Sequence, residues 1–387
     1  MLQTLLQTPY QNLLDWIYFA LFCGGIVPEI WLNYGMTDVV LDIKAENLDQ
    51  RIELDGSVLD DLQFSEKLDS IDFGKSVTLV VLNYTLAIQK TLSLIFDKCT
   101  QKGVARPKIF ADKQIMNLVR ANLPSESQVM VFEGIENVDS SLVFLGEMEF
   151  DGLFGFDTIA TKLLRRFGKE QMLSAYEKRS TNLPNSGKET QSMEIANNFV
   201  NSFEITSIEI AAHNKGIADI AIGHPSTTNS ISQTMAKFTK SVEKYRTLLI
   251  STGKDASNVT LGKSLNSLWN CYNSIRDEGL AILIGECRGG IGSEAIRQYV
   301  EGRISIERLQ KPAKYVDGME DLLYLSEIQK KIQIGIISVL PEFYIKKLNM
   351  VLFDGVKESL DYILKHQGAR QKVSIVTDGA RILLGPN

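Results

Sequence analysis

Histidine is scarce in this chain: 387 residues contain only His213, His224 and His366. Imidazole is the side chain that titrates near neutrality and the commonest metal ligand. Its scarcity therefore restricts both proton shuttling and metal binding. His213 and His224 flank an expected hairpin, and two imidazoles are too few for a closed metal site. They read as exposed turn residues, and His366 reads as a cation favoured by a helix C-terminus. Cysteine is sparse too. Cys23, Cys99, Cys271 and Cys287 lie far apart with no CxxC spacing, which argues against a disulfide framework or a zinc site and fits a reducing, cytoplasmic setting. A surplus of positive charge is missing. The formal net charge is -6 and the pI about 5.4, so no basic face is expected for nucleic acid. Apolar runs of bilayer length are absent as well. Trp16 to Val27 is almost wholly apolar but far shorter than the ~20 residues a spanning helix needs. No Lys or Arg precedes Lys44 to make a signal-peptide n-region. Residues 1–28 are expected to be an apolar extension, a short helix packed on the protein. A surface-bound membrane helix is the alternative, though a membrane is not the expected partner.

What is present describes a globular α/β protein. Hydrophobic content is 44% and charged content 23%, and the length suits two ordinary domains. Residues 31–35 and 39–43 predict a hairpin. Residues 76–83 predict a central strand, and 86–99 a helix stopped by Gly103. Short strands are expected at 108–111, 128–132 and 142–145, with helices near 114–121 and 194–203. Ile205 to Ala212 and Ile217 to Ile222 flank Asn214-Lys215-Gly216, residues that accept positive φ in a hairpin turn. Residues 230–245 read as a long helix linking two domains. Beyond it, strands at 247–251, 281–285, 332–339 and 372–377 alternate with helices, the pattern of a doubly wound, mostly parallel sheet. The expected fold is two α/β domains with a cleft between them: an N-terminal domain over 29–240 and a C-terminal domain over 241–387.

One segment concentrates chemistry. Leu280-Ala281-Ile282-Leu283-Ile284 reads as a strand buried on both faces. Glu286-Cys287-Arg288 follows it at once, then Gly289, Gly290 and Gly292, and Ser293 as a helix cap. Ligands of open α/β sheets bind beyond the carboxyl ends of strands. The same logic singles out Lys254 in Thr252-Gly253-Lys254-Asp255, and Asp378-Gly379. Lys and Arg near helix N-termini suit a carboxylate or phosphate. The glycine run is not a GxGxxG fingerprint and does not follow a first βα unit. Cys287 has no His near it in sequence and reads as a buried, inert thiol.

These residues carry a resemblance. Leu280 to Ser293 resembles the V-A-E-C-R-(D/E)-G-x-G-S signature of the nickel-pincer lactate racemases. Leu32-Asn33-Tyr34-Gly35 through Ala45-Glu46-Asn47-Leu48 is similar to that family's opening L-x-Y-G … P-x-x-N-L. Glu194 to Pro225 is similar to its helix, hairpin and G-D-P stretch. The resemblance spans roughly residues 30–387 and implies two α/β domains around a cleft. The activity it implies is racemisation of a 2-hydroxy acid through a nickel-pincer nucleotide tethered to a Lys, with a His on nickel and two His as acid and base.

The family's reactive positions are replaced here. Asn83-Tyr84-Thr85-Leu86-Ala87 stands at its D-x-T-R-P, and Phe110 to Gln114 stands at its G-L-H-R without a His. Asp151 falls on a catalytic His. Thr161 falls on the tethering Lys, with Lys162 one residue off. Lys263 matches a substrate-binding Lys, whereas Thr260 replaces the neighbouring Gln. The resemblance thus implies the fold, with the cofactor not expected to bind. The first functional expectation is a binding or regulatory module for a small carboxylate, lacking the pincer and racemase activity. The second is a divergent isomerase of 2-hydroxy acids using Asp151 and Lys162, with Lys254, Lys263, Glu286 and Arg288 binding substrate. The third is a scaffold subunit of a larger complex.

Overall fold

The computed structural model describes residues 29–124, 127–135, 141–254 and 258–386. The expected helix in 1–28 lies outside them. The strands are β1 (Ile30–Tyr34), β2 (Thr37–Leu41), β3 (Leu48–Ile52), β4 (Val77–Val81), β5 (Lys108–Ala111), β6 (Val129–Val131), β7 (Ser141–Glu147), β8 (Glu149–Asp151), β9 (Gly155–Asp157), β10 (Thr206–His213) and β11 (Gly216–Gly223), then β12 (Thr239–Val242), β13 (Tyr245–Ser251), β14 (Ile275–Ile284), β15 (Gln333–Ile337), β16 (Val351–Phe353), β17 (Val373–Val376) and β18 (Leu383–Pro386). Two six-stranded sheets organise them. The first runs β6-β5-β4-β7-β10-β11, parallel except for β11, which returns antiparallel from the predicted hairpin. The second runs β16-β15-β14-β13-β17-β3 and is parallel throughout.

Both sheets are covered on both faces, as parallel sheets require. In the first, Leu79 and Val81 enter one core while Val80 enters another. In the second, Leu248 and Ile250 face one core and Leu249 the other. This two-sided burial explains why strands such as β14 read as unbroken apolar runs. The chain reverses its winding between β4 and β7 in the first sheet, and between β13 and β17 in the second. Such switch points open a crevice at the strands' carboxyl ends.

Two expectations need correction. Residues 230–245 do not form a linking helix. Only Ser232–Ala236 is α-helical; Thr239–Val242 is β12, paired in parallel with β18. Pairing with a strand remote in sequence, Thr239 opposite Leu383, overrides local helical spacing. The expected N-terminal domain also does not begin a separate sheet. β3 pairs with β17, so residues 48–52 belong to the second sheet. The β1–β2 hairpin adds Ile30, Leu32 and Leu41 to the core on that sheet's outer face. Among the described residues no helix is long and apolar enough to cross a membrane.

Candidate functional site

The carboxyl end of β7 leads into the small β8–β9 hairpin, and its geometry builds one wall of a cleft. Asp151 ends β8, and its Oδ1 accepts from the backbone N–H of Leu153 (2.8 Å) and Phe154 (2.7 Å). This is an Asx-type turn. Gly155 completes it at φ +82°, where a Cβ would strike the Lys188 backbone. Phe150 and Phe156 face each other across the strands, ring centroids 5.8 Å apart. Thr158 caps the helix Ile159–Phe167 by accepting from the Thr161 N–H.

The helices Leu261–Cys271 and Met319–Ile328 and the Gly292-Ser293 loop build the opposite wall. They belong to the second half of the chain. Between the walls lies a cavity of about 90 Å³, lined by Asp151, Asp157, Arg165, Lys263, Glu320 and Tyr324, among others. Arg165 ties the walls together. Its guanidinium sits 2.9 Å from Asp151 Oδ2 and 2.5 Å from Glu320 Oε1, and donates to the Tyr315 hydroxyl at 2.8 Å. Asp157 does the same. Its Oδ2 lies 3.0 Å from Lys162 Nζ on its own side and 4.0 Å from Lys263 Nζ across the cleft. Burial works against the Asp157 carboxylate, but Lys162, Lys263 and Arg165 outweigh it and hold the group far below the usual carboxylate range. Burial also opposes the Lys263 ammonium, yet Asp157 and Glu149 more than compensate, so its proton is held tighter than usual.

The groups expected to carry catalysis are engaged in structure. Asp151 accepts two backbone N–H groups and pairs with Arg165. Lys162 pairs with Asp157 and donates to the carbonyls of Glu147 (3.1 Å) and Asp157 (2.7 Å). An ammonium has three donors, so none remains for a substrate. Thr161, expected to stand where the resemblance places a tethering Lys, is fully buried, its hydroxyl within hydrogen-bond reach of Asp157 Oδ1 (2.9 Å) and the Thr158 carbonyl (2.8 Å).

The expected substrate-binding residues divide into two groups. Lys263 lines the cavity. Lys254, Glu286 and Arg288 gather instead at the ends of β13 and β14, around the β1–β2 turn. Lys254 pairs with Asp38 at 2.9 Å, and Arg288 pairs with the buried Glu286 at 2.5 Å. Gly35 of that turn has φ +62°, and a Cβ there would collide with the Glu286 carboxylate. Cys287 is buried and 3.5 Å from Ser264 Oγ, with burial pushing its thiol up, in line with an inert thiol.

Sequence reasoning missed Arg165, Asp157, Glu320 and Tyr324. Glu320 sits in a helix's first turn, where an acid is ordinary, and Arg165 is one of two arginines in a helix's last turn. Only their convergence marks them. A further missed group is Glu209 on β10. It is buried, its Oε1 accepts from the Ile159 N–H (2.5 Å), and its Oε2 has no partner among the described residues. Burial raises its pKa to about 7, against the pull of Lys162 and the Ile159 N–H.

This arrangement defines a class: a doubly wound, two-sheet α/β protein with a charged cleft between the sheets. No protein-family model matches the chain, and no curated protein matches it in sequence. Solved structures do match in fold. The lactate racemase apoprotein from Thermoanaerobacterium thermosaccharolyticum superposes with a TM-score of 0.65 at 14% identity, covering 92% of this chain and 99% of that one. A protein from Thermotoga maritima superposes with a TM-score of 0.61 at 10% identity, covering 86% of this chain and all of that one. The chain has a lactate racemase-like fold.

Proposed function

We propose that this chain is a lactate racemase-like protein that works without the nickel-pincer cofactor and without racemase activity, binding a small carboxylate-bearing molecule in the inter-sheet cleft. The residues present do not fit the pincer. The tethering position is a buried threonine, and the neighbouring Lys162 has all three donors engaged. A helix N-terminus ordinarily favours an anion. At the N-terminus of Ile159–Phe167, however, the Ile159 N–H already donates to Glu209 and the Thr161 N–H to the Thr158 hydroxyl, which leaves neither for a phosphate. The histidines lie elsewhere. His213 is not the exposed turn residue expected: it ends β10, buried, and packs on Phe238, while His224 bonds Ser226 and the Phe203 carbonyl and His366 stacks on Tyr362. Among the described residues no group of three His, Cys, Asp or Glu is placed to hold a metal.

One observation carries the binding reading. Lys263 lines the cavity with its side chain 46% exposed and stands 4.0 Å from its nearest counter-ion, whereas Arg165 is locked between two acids. An ammonium so placed offers donors to an incoming carboxylate. Calorimetric titration of small carboxylates into the wild type and Lys263→Ala tests this. Loss of the charge-assisted contact should weaken binding by about tenfold or more. Unchanged binding would refute the role of Lys263. Stoichiometric nickel together with a covalent mass adduct on the purified protein would refute the cofactor-free reading.

A further inference from the structure

The cavity's charges are unevenly satisfied, and the remainder specifies a ligand class. Five carboxyl groups line it (Asp151, Asp157, Asp317, Glu320 and Asp321) against two cations, Arg165 and Lys263. Arg165 is taken by Asp151 and Glu320, and Asp157 by Lys162. Asp321 accepts from the Trp269 indole N–H at 2.8 Å, and burial pushes its carboxyl well above the usual range. Three groups are left over. Lys263 is half-exposed with only a distant counter-ion. Asp317 is exposed and in no ion pair among the described residues. The Tyr324 hydroxyl is buried, the residue only 1% exposed, and has no partner among the described residues. A buried unpartnered hydroxyl costs free energy unless something satisfies it.

All three groups line the same cavity. A Cβ on Gly262 would lie 3.3 Å from Ser293, whose hydroxyl donates to the Asp317 carbonyl at 3.1 Å, so the Lys263 and Asp317 backbones flank one loop. A Cβ on Gly152 would come within 2.7 Å of Tyr324 Cε2, so the turn after β8 packs directly on that ring.

We propose that the cleft binds a small zwitterion of the amino-acid class, its carboxylate on Lys263, its ammonium on Asp317 and its remaining polar edge toward the Tyr324 hydroxyl. A bare anion would satisfy Lys263 but enter a cavity with surplus acid, against the local field. A zwitterion adds no net charge and gives Asp317 a counter-ion. The inference rests on the reading of the cleft as a binding site.

Calorimetric titration of the full chain with glycine, L-alanine and L-serine, beside L- and D-lactate and propylammonium, separates the two ideas. At least one of the three amino acids should bind at least tenfold more tightly than lactate or propylammonium. Asp317→Asn, at an exposed position, should weaken that amino acid at least tenfold while leaving lactate unchanged or tighter. Tyr324→Phe should weaken it severalfold with the fold retained by circular dichroism. Lactate binding as tightly as any amino acid would overturn the zwitterion assignment and leave the cleft a carboxylate site. Binding by none of these probes would overturn both.

Discussion

Glu209 sits where burial and function-sized charge meet. Its carboxyl faces the Ile159 N–H, with Lys162 and Asp157 as its charged neighbours, and its pKa stands at about 7 against an ordinary 4.5. The folded state therefore holds this proton more tightly than the unfolded chain. Its contribution to stability is complete below pH about 4.5 and is lost as pH rises through about 7. The shift corresponds to about 3 kcal/mol. Glu209→Gln keeps an oxygen for the Ile159 N–H but carries no titrating proton. Urea denaturation should find the variant close to wild type at pH 4.5 and more stable by about 3 kcal/mol at pH 8. An equal gain at both pH values would contradict the assignment. At this scale the sequence revealed Asp151, Lys162 and Lys263 as candidates but not their state. Arg165 pairs with Asp151, and Asp157 and two backbone carbonyls surround the Lys162 ammonium.

The hairpin turns and helix ends are where sequence and geometry agree best. Gly103 ends the helix Leu86–Lys102 at φ +65°, with nothing near its missing Cβ, whereas Gly35 at φ +62° faces the Glu286 carboxylate. Alanine at Gly103 should cost about 1 kcal/mol, the price of left-handed backbone alone. Alanine at Gly35 should cost more, by about 1–3 kcal/mol, because Glu286 must also move. Thermal denaturation of both variants checks this; equal losses would mean that the turn does not press on Glu286. The Ser293 cap, the Gly103 stop and the Asn214-Lys215-Gly216 hairpin were legible because their signals are local. β12 was not, since its partner β18 is remote in sequence.

Across the whole molecule, the two sheets share a core. Met148, Phe150, Tyr176 and Ala211 from the first sheet's side cluster with Leu248, Leu283 and Tyr324 from the second. Arg165 and Asp157 bridge the same boundary, and β3 crosses it in the covalent chain. Independent folding of the halves would strip apolar surface from both. Calorimetry should record one cooperative unfolding transition with equal van't Hoff and calorimetric enthalpies. Two resolved transitions would show that the shared core is not cooperative.

The sequence by itself determined the α/β class, the parallel second sheet, most strands and the Ser293 cap, because apolar periodicity and turn chemistry act over a few residues. Only the tertiary structure decided that β3 joins the second sheet, that Glu286 and Arg288 lie apart from Lys263, and which charges in the cleft remain unpaired. Those outcomes depend on contacts between residues from 14 to more than 300 positions apart. Pairing and burial at that range follow from packing, and no local pattern encodes them.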